Sequence, residues 1–482
     1  MSAEPNRWLV LVIVCVAQFM VVLDATVVNV ALPTIQRDLS FSVSDLQWII
    51  NAYTLVFGGF LLLGGRASDL LGRQRLFIAG VAIFTIASAI NGRANSSGVL
   101  IAGRGLQGLG AAFVSPAALS VLTTTFDEGQ ERTRALGVWS AIAAGGGAVG
   151  LILGGALTEY LSWRWVFFVN LPVGILATIA ALRFVPNSRA EEGVESYDAA
   201  GAVTVTGGLL LLVYAIVKAQ SYGWGSATTI LLFVAATILL AMFVAIEQRS
   251  RAPLIRLGIF RLRSLTGANG AMLVVAAGLF AMFYFASLYL QQILRYTPLK
   301  AGFAFVPFTL GIIVGAGLSQ ALIQRIGVRG VTYFGLTLGT AGLLYFARLP
   351  THGTYAKDIL PTIAVTSVGM GLTFVPLTLL ATTNVAAADA GLASGLLNTS
   401  QQVGGSLGLA ILSTLAASRT SHLLNHGVTT IAVKASAYTR GYHVAFAVGA
   451  GMLELGAAIV AATVRKQDAE AIDTGSATEP VT

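Results

Sequence analysis

The stretch from Val99 to Leu122 reads VLIAGRGLQGLGAAFVSPAALSVL, an apolar run broken by one charge, Arg104. At 1.5 Å per residue the run is long enough to cross a hydrocarbon layer of roughly 30 Å. A guanidinium cannot shed its proton, and at membrane depth it costs several kcal/mol unless it faces a protein interior with a partner or a wet cavity. Arg104 also opens the pattern Arg104-x-x-Gln107-Gly108-x-Gly110-Ala111-Ala112. A charge placed this way marks a route for ions or solutes.

The rest of the chain agrees. Of 482 residues, 56% are hydrophobic and only 10% charged, more apolar surface than a water-soluble core can hide. Fourteen runs of spanning length follow one another, from residues 10–35 to residues 441–464. They are long and do not alternate, which excludes a transmembrane barrel and predicts an all-α membrane protein.

An even number of spans puts both termini on one side. Most of the 29 Lys and Arg residues lie on that side, with Arg249, Arg251, Arg256, Arg261 and Arg263 in one loop. The positive-inside rule therefore predicts cytoplasmic termini in a multi-pass cell-membrane protein. Met1–Arg7 lacks the basic region and cleavage site of a signal peptide, so the first span is expected to stay. The net charge of +8 is scattered over many loops, where arginines set topology or meet anionic lipid, and no nucleic-acid partner is expected. Cys15 is the only cysteine and reads as a small core residue. His422 and His426 have helical spacing but lack a third ligand, so no metal is expected.

Polar segments divide the spans. Pro186–Asp198, with Glu191, Glu192 and Glu195, follows six spans, and Glu247–Ser264 follows two more. The expected organisation is a six-helix half at 1–185, linkers with two extra helices at 186–264, a second six-helix half at 265–465, and a tail at 466–482. A faint repeat supports related halves: Gly65–Arg73 after span two has its counterpart in Gln320–Val328. Related halves with a site between them are how many transporters alternate access.

Four segments resemble the major facilitator superfamily, and within it the fourteen-span drug:proton antiporters, with likeness over nearly the whole chain. Leu23–Pro33 is similar to that family's first-span signature, Gly65–Arg73 to the loop after its second span, and Arg104–Ala112 to its fourth-span motif. Gly146, Gly150, Gly154 and Gly155 resemble the fifth-span antiporter motif, followed by the family-like run Trp163–Gly174. Two departures stand out. Leu151 occupies the position of the motif's proline, putting the usual bend in doubt, and the loop carries Ala67 and Leu70 where leucine and a basic residue are common. The resemblance implies the major facilitator fold, two six-helix halves plus two central helices, and export of a small organic compound.

The residues can be weighed physically. Asp24 lies deep in the first span, where burial raises a carboxyl pKa and an approaching cation lowers it, so it can trade a proton for substrate. It is the first candidate for proton coupling, with Arg104 and Glu454 beside it; a permanent structural ion pair is the alternative reading for Asp24, and helix packing for Arg104 and Glu454. Gly65, Asp69, Gly72 and Arg73 form a candidate gating loop, since a carboxylate there can meet a helix N-terminus or an arginine and hold one conformer. Asn29, Trp48, Asn51, Tyr53, Gln107, Tyr289, Gln291, Asn398 and Gln402 are candidates for lining a substrate cavity, although such groups serve equally as bonds between helices.

The expected function is proton-coupled efflux of an amphipathic compound by a monomer in the lipid bilayer, needing no cofactor beyond protons. Nutrient uptake or uniport on the same fold remains an alternative. So does a membrane-embedded enzyme, which would need a nucleophile, metal or phosphate-loop constellation that the spans lack.

Overall fold

Each predicted apolar run falls on helix, because in hydrocarbon the backbone must satisfy its own hydrogen bonds. The computed structural model describes residues 6–42, 45–126, 129–186, 198–250, 253–382, 385, 389–424 and 430–465. The helices are α1 (Arg7–Asp38), α2 (Trp48–Leu71), α3 (Arg73–Gly92), α4 (Ser97–Thr125), α5 (Gln130–Tyr160), α6 (Trp165–Phe168), α7 (Asn170–Phe184), α8 (Ala199–Tyr222) and α9 (Ala227–Arg249). They continue with α10 (Arg263–Leu288), α11 (Pro298–Ala304), α12 (Val306–Phe346), α13 (Leu360–Thr382), α14 (Ala390–Leu424) and α15 (Ile431–Thr463). Side-chain caps start several of them: Asn6 accepts from the Trp8 amide, Ser96 from Val99 and Thr430 from Val433.

Among the described residues, 11 helices or helix runs are long and apolar enough to cross a membrane. One of these, Pro298–Phe346, is really two rods, since Gly327 interrupts α12 with φ 72° and ψ 164°. The 31-residue α5 and the 35-residue α14 supply the remaining crossings. The α6–α7 pair acts as a single span, Trp165–Phe184.

The chain forms two compact units. The first comprises Met1–Ser42, Trp48–Leu211 and Val234–Leu254; the second comprises Val43–Gln47, Leu212–Phe233 and Ile255–Thr482. In the first, α5 lies along α1 because its glycines present no side chain. A Cβ on Gly150 would collide with Thr26, and one on Gly154 would stand 2.6 Å from the Val27 carbonyl oxygen. A Cβ on Gly146 would make a tighter than usual contact with Val22, at 3.1 Å, and Gly155 is buried. Leu151, at the position of the missing proline, is buried, and α5 runs on without interruption. The second unit repeats the device: Gly404 and Gly408 of α14 press on Leu273 and Ala277 of α10.

The segment Gly65–Arg73 departs from its expected form. It is not a loop: α2 continues through Gly65 and Asp69 to Leu71, Gly72 alone breaks the helix with φ 99°, and Arg73 already begins α3. Helices need not stop where the apolar run stops, and no proline stands between Gly65 and Gly72 to break this one. The side chain of Asp69 lies outside the described residues. Gly327 is the residue that the sequence repeat aligns with Gly72, and the two glycines share a positive φ at the same turn. His422 likewise proves helical, in the last turn of α14, while His426 lies outside the described residues.

A side chain at either glycine forces a backbone conformation that costs about 1–3 kcal/mol. Gly72→Ala and Gly327→Ala should therefore each lower the unfolding midpoint of the purified protein in mild detergent. A wild-type midpoint for both would show that these turns can relax.

Candidate functional site

Among the described residues, the buried charges are Asp24, Arg104, Asp198 and Glu247, all in the first unit. Asp24 and Arg104 are 0% and 1% exposed, and they meet. Asp24 comes from the middle of α1 and Arg104 from the second turn of α4; Arg104 Nη1 donates to Asp24 Oδ2.

Neutral polar groups complete the pair. Gln107, one turn beyond Arg104, donates from Nε2 to Asp24 Oδ1 at 2.8 Å and accepts from Arg104 Nη1 through Oε1 at 2.9 Å. Asn170 of α7 donates to Asp24 Oδ1 at 2.9 Å. From α3, Ser88 accepts from Gln107 at 2.8 Å, and Asn91 donates to Gln107 Oε1 at 2.6 Å. From α2, the Ile49 carbonyl accepts from Arg104 Nε at 2.9 Å. The guanidinium carbon also sits 4.3 Å from the centre of the Tyr53 ring and 6.0 Å from that of Phe167, the first a cation–π contact worth about 2 kcal/mol when desolvated. Each carboxylate oxygen is thus bonded, and the guanidinium is held on several sides.

Glycines in and beside the α4 motif explain how five spans converge. A Cβ on Gly103 would strike Asn91, and one on Gly108 would strike the Tyr53 carbonyl. At Gly110 it would stand 2.7 Å from the Phe84 amide. The motif therefore supplies a charge, an amide and the bare backbone that lets α2 and α3 close around them. Buried ion pairs gain little over apolar packing, but breaking one by removing a single partner costs about 3–5 kcal/mol.

Of the residues singled out by sequence, Asp24, Arg104, Gln107 and Tyr53 come together here. Trp48 and Asn51 are buried nearby on α2, and Asn29 is half-buried on α1, its amide turned back to the Ala25 carbonyl. In the second unit, Tyr289 is buried and its hydroxyl donates to the Pro350 carbonyl. Gln291 donates to Ser287 at 3.2 Å, and both belong to a short stretch around the π turn that ends α10. Asn398 lines a cavity of about 270 Å³ with Met272, Phe374, Thr378 and Gln401, and Gln402 is half-buried on the next turn of α14. Glu454 is exposed on α15, turned away from the face that buries Leu453 and Gly456. Around Gly65–Arg73, Arg66 donates to the Pro253 carbonyl at 2.8 Å, and Gln74 donates to the Ala181 carbonyl at 3.0 Å.

Ser88, Asn91 and Asn170 escaped the sequence reading. Their signal was present: each is a polar residue inside an apolar run, and Asn170 lies in the family-like stretch after Trp163. Asp198, read as part of an acidic linker, instead caps α8, accepting from the Gly201 amide at 2.6 Å; its carboxylate and that of Glu247 flank Gly201.

Crossing helices that share one buried, fully bonded ion pair define a multi-pass membrane protein with a polar interior built to handle solutes or ions. The family model of the Major Facilitator Superfamily matches residues 14–409, and the chain belongs to that transporter superfamily. It is 41% identical over 481 residues to the puromycin resistance protein pur8 of Streptomyces alboniger, covering 98% of this chain and 94% of the relative. It is also 41% identical over 414 residues to the cephamycin export protein CmcT of Amycolatopsis lactamdurans, covering 85% of each. The multidrug resistance protein Stp of Mycobacterium tuberculosis is 35% identical over 399 residues, 83% of this chain and 74% of the relative. A solved bacterial homolog of the human lysosomal transporter Spinster, inward-facing and unoccupied, superposes with a TM-score of 0.69 over all of both chains; at 17% identity this is a likeness of fold.

The ion pair predicts a non-additive mutant cycle. Asp24→Asn and Arg104→Gln should each lower the unfolding midpoint in detergent, because each strands a buried charge. The double variant should melt above the less stable single variant. If it melts below wild type by the sum of the two single losses, the two side chains act independently.

Proposed function

We propose that this chain is a proton-coupled exporter of amphipathic organic compounds of the antibiotic type, working by alternating access in the cell membrane. The names of its relatives, a puromycin resistance protein, a cephamycin export protein and a multidrug resistance protein, support the substrate class and the direction. The observation that carries the coupling is the Asp24–Arg104 pair, the one buried ion pair among the described residues.

The chemistry follows from the bonds. As a carboxylate, Asp24 holds Arg104 and accepts from Gln107 and Asn170, which ties α1 to α4 and α7. A proton arriving on Asp24 cancels the charge that Arg104 balances. Arg104 keeps Ile49, Gln107 and the Tyr53 ring, while the hold on α1 weakens. Each change of about 1.4 kcal/mol in that hold shifts a conformer ratio tenfold, so one proton suffices to bias inward-open against outward-open states. The glycine seams between α1 and α5 and between α10 and α14 are smooth enough to slide as the bias changes. Gly65, Asp69, Gly72 and Arg73, with Arg66 on Pro253, form the gate that stabilises one of those states. The substrate meets polar groups such as Asn398 and Gln402, and Glu454 serves as a second acid.

The topology belongs to the same reading. Both termini are cytoplasmic, residues 1–185 and 265–465 are the moving halves, α8 and α9 at 186–264 join them, residues 466–482 form a tail, and the monomer is the working unit.

Uphill export in proteoliposomes with an imposed pH gradient is the test, using puromycin and an uncharged dye as probes. Wild type should concentrate the probe against its gradient while dissipating the pH gradient. Asp24→Asn should abolish both, and so should the Asp24→Asn, Arg104→Gln double variant, whose folding is protected by removal of both charges. Full coupling in the folded double variant would move proton carriage to another residue.

A further inference from the structure

A second polar site lies at the end of the first unit where α1 finishes. Arg37, Thr158, Leu161, Ser162 and Arg164 line a cavity of about 490 Å³ together with Asp38. Asp38 is already engaged: it accepts from Trp163 Nε1 at 2.7 Å and from Arg164 Nη1 at 2.8 Å. Arg164 spends one further donor on the Ala94 carbonyl, and Arg37 spends two on its own helix, at Pro33 and Thr34. A guanidinium has five N–H donors, so both arginines keep free ones for a ligand. Thr158 is 8% exposed, yet its buried hydroxyl has no hydrogen-bond partner. An unbonded hydroxyl on a residue that shares this lining with Arg37 and Arg164 leaves a donor for an acceptor with several oxygens.

The surroundings say where that acceptor comes from. Tyr160, Leu161 and Trp165 are 71%, 59% and 46% exposed beside the cavity, at the ends of α5 and the start of α6. Aromatic residues at the ends of crossing helices sit at the level of lipid headgroups, and exposed leucine beside them meets acyl chain. Guanidiniums at that level match the phosphodiester of an anionic headgroup in either leaflet through charge-assisted hydrogen bonds.

We propose that this cavity is a binding site for the phosphodiester of an anionic membrane lipid, with Arg37 and Arg164 on the phosphate oxygens and the Thr158 hydroxyl donating to the same group. The lipid would bridge the ends of α1, α5 and α6, and so would bear on the α1–α5 seam. This site is separate from the Asp24 pair, and its occupancy can be measured without transport.

The test is native mass spectrometry of the full-length protein released from mixed micelles of phosphatidylglycerol and phosphatidylcholine. Wild type should retain phosphatidylglycerol in preference to phosphatidylcholine. Arg37→Gln, which leaves the Asp38–Arg164–Trp163 contacts intact, should cut retention about fivefold, the effect of one guanidinium near an anionic headgroup. Arg37→Lys should restore part of it, and Thr158→Val should weaken it without any change of charge. Equal retention of the two lipids by wild type, or unchanged retention in both Arg37→Gln and Thr158→Val, would overturn the proposal. Retention of soluble glycerol phosphate with no preference for phosphatidylglycerol would assign the site to a free phosphate compound and overturn the lipid as its occupant.

Discussion

A carboxylate and a guanidinium buried together inside membrane helices constrain everything else in this protein. Neither Asp24 nor Arg104 tolerates hydrocarbon alone, so α1 and α4 must meet, and the remaining lone pairs and N–H groups must be bonded. Gln107, Asn170, Ser88, Asn91 and the Ile49 carbonyl do that bonding, which brings α2, α3 and α7 to the same point. The glycines of the α4 motif permit the approach. In its charged form the network ties α1, α2, α3, α4 and α7 together.

The two units share their framework and differ in their chemistry. Gly72 and Gly327 turn the chain at equivalent places, and the glycines of α5 and α14 seat against α1 and α10 in the same manner. The second unit has no buried charge among its described residues; its interior polar groups are amides, hydroxyls and tyrosines. Among the described residues, the buried ion pair is confined to the first unit.

The fold was largely legible because hydrocarbon allows so few solutions: long apolar runs must be helices, and their number and spacing follow from the polar segments between them. Asp24 and Arg104 were legible for the same reason, since charge at membrane depth is conspicuous, and Gln107 because it stands in the motif that Arg104 opens. Asn170, Ser88 and Asn91 were not, because a neutral polar residue in a span bonds equally well to its own helix, and only the packing of α3 and α7 against α4 decides otherwise. The Gly65–Arg73 segment was misread as a loop because its polar residues mark the edge of the apolar run, whereas the helix ends only where Gly72 breaks it. For Glu454, depth could be read from sequence but facing could not; a helix such as α15 buries one stripe, and Glu454 stands outside it.

The central claim is that Asp24 itself changes protonation as the protein works. Infrared difference spectroscopy of the purified transporter in lipid, recorded between neutral and acidic pH, reads protonated carboxyl groups directly. The account predicts a carboxyl band on acidification that shifts when substrate is added and is missing from the Asp24→Asn, Arg104→Gln variant. An identical band in that variant, or a wild-type spectrum in which substrate leaves every carboxyl unchanged, would contradict it.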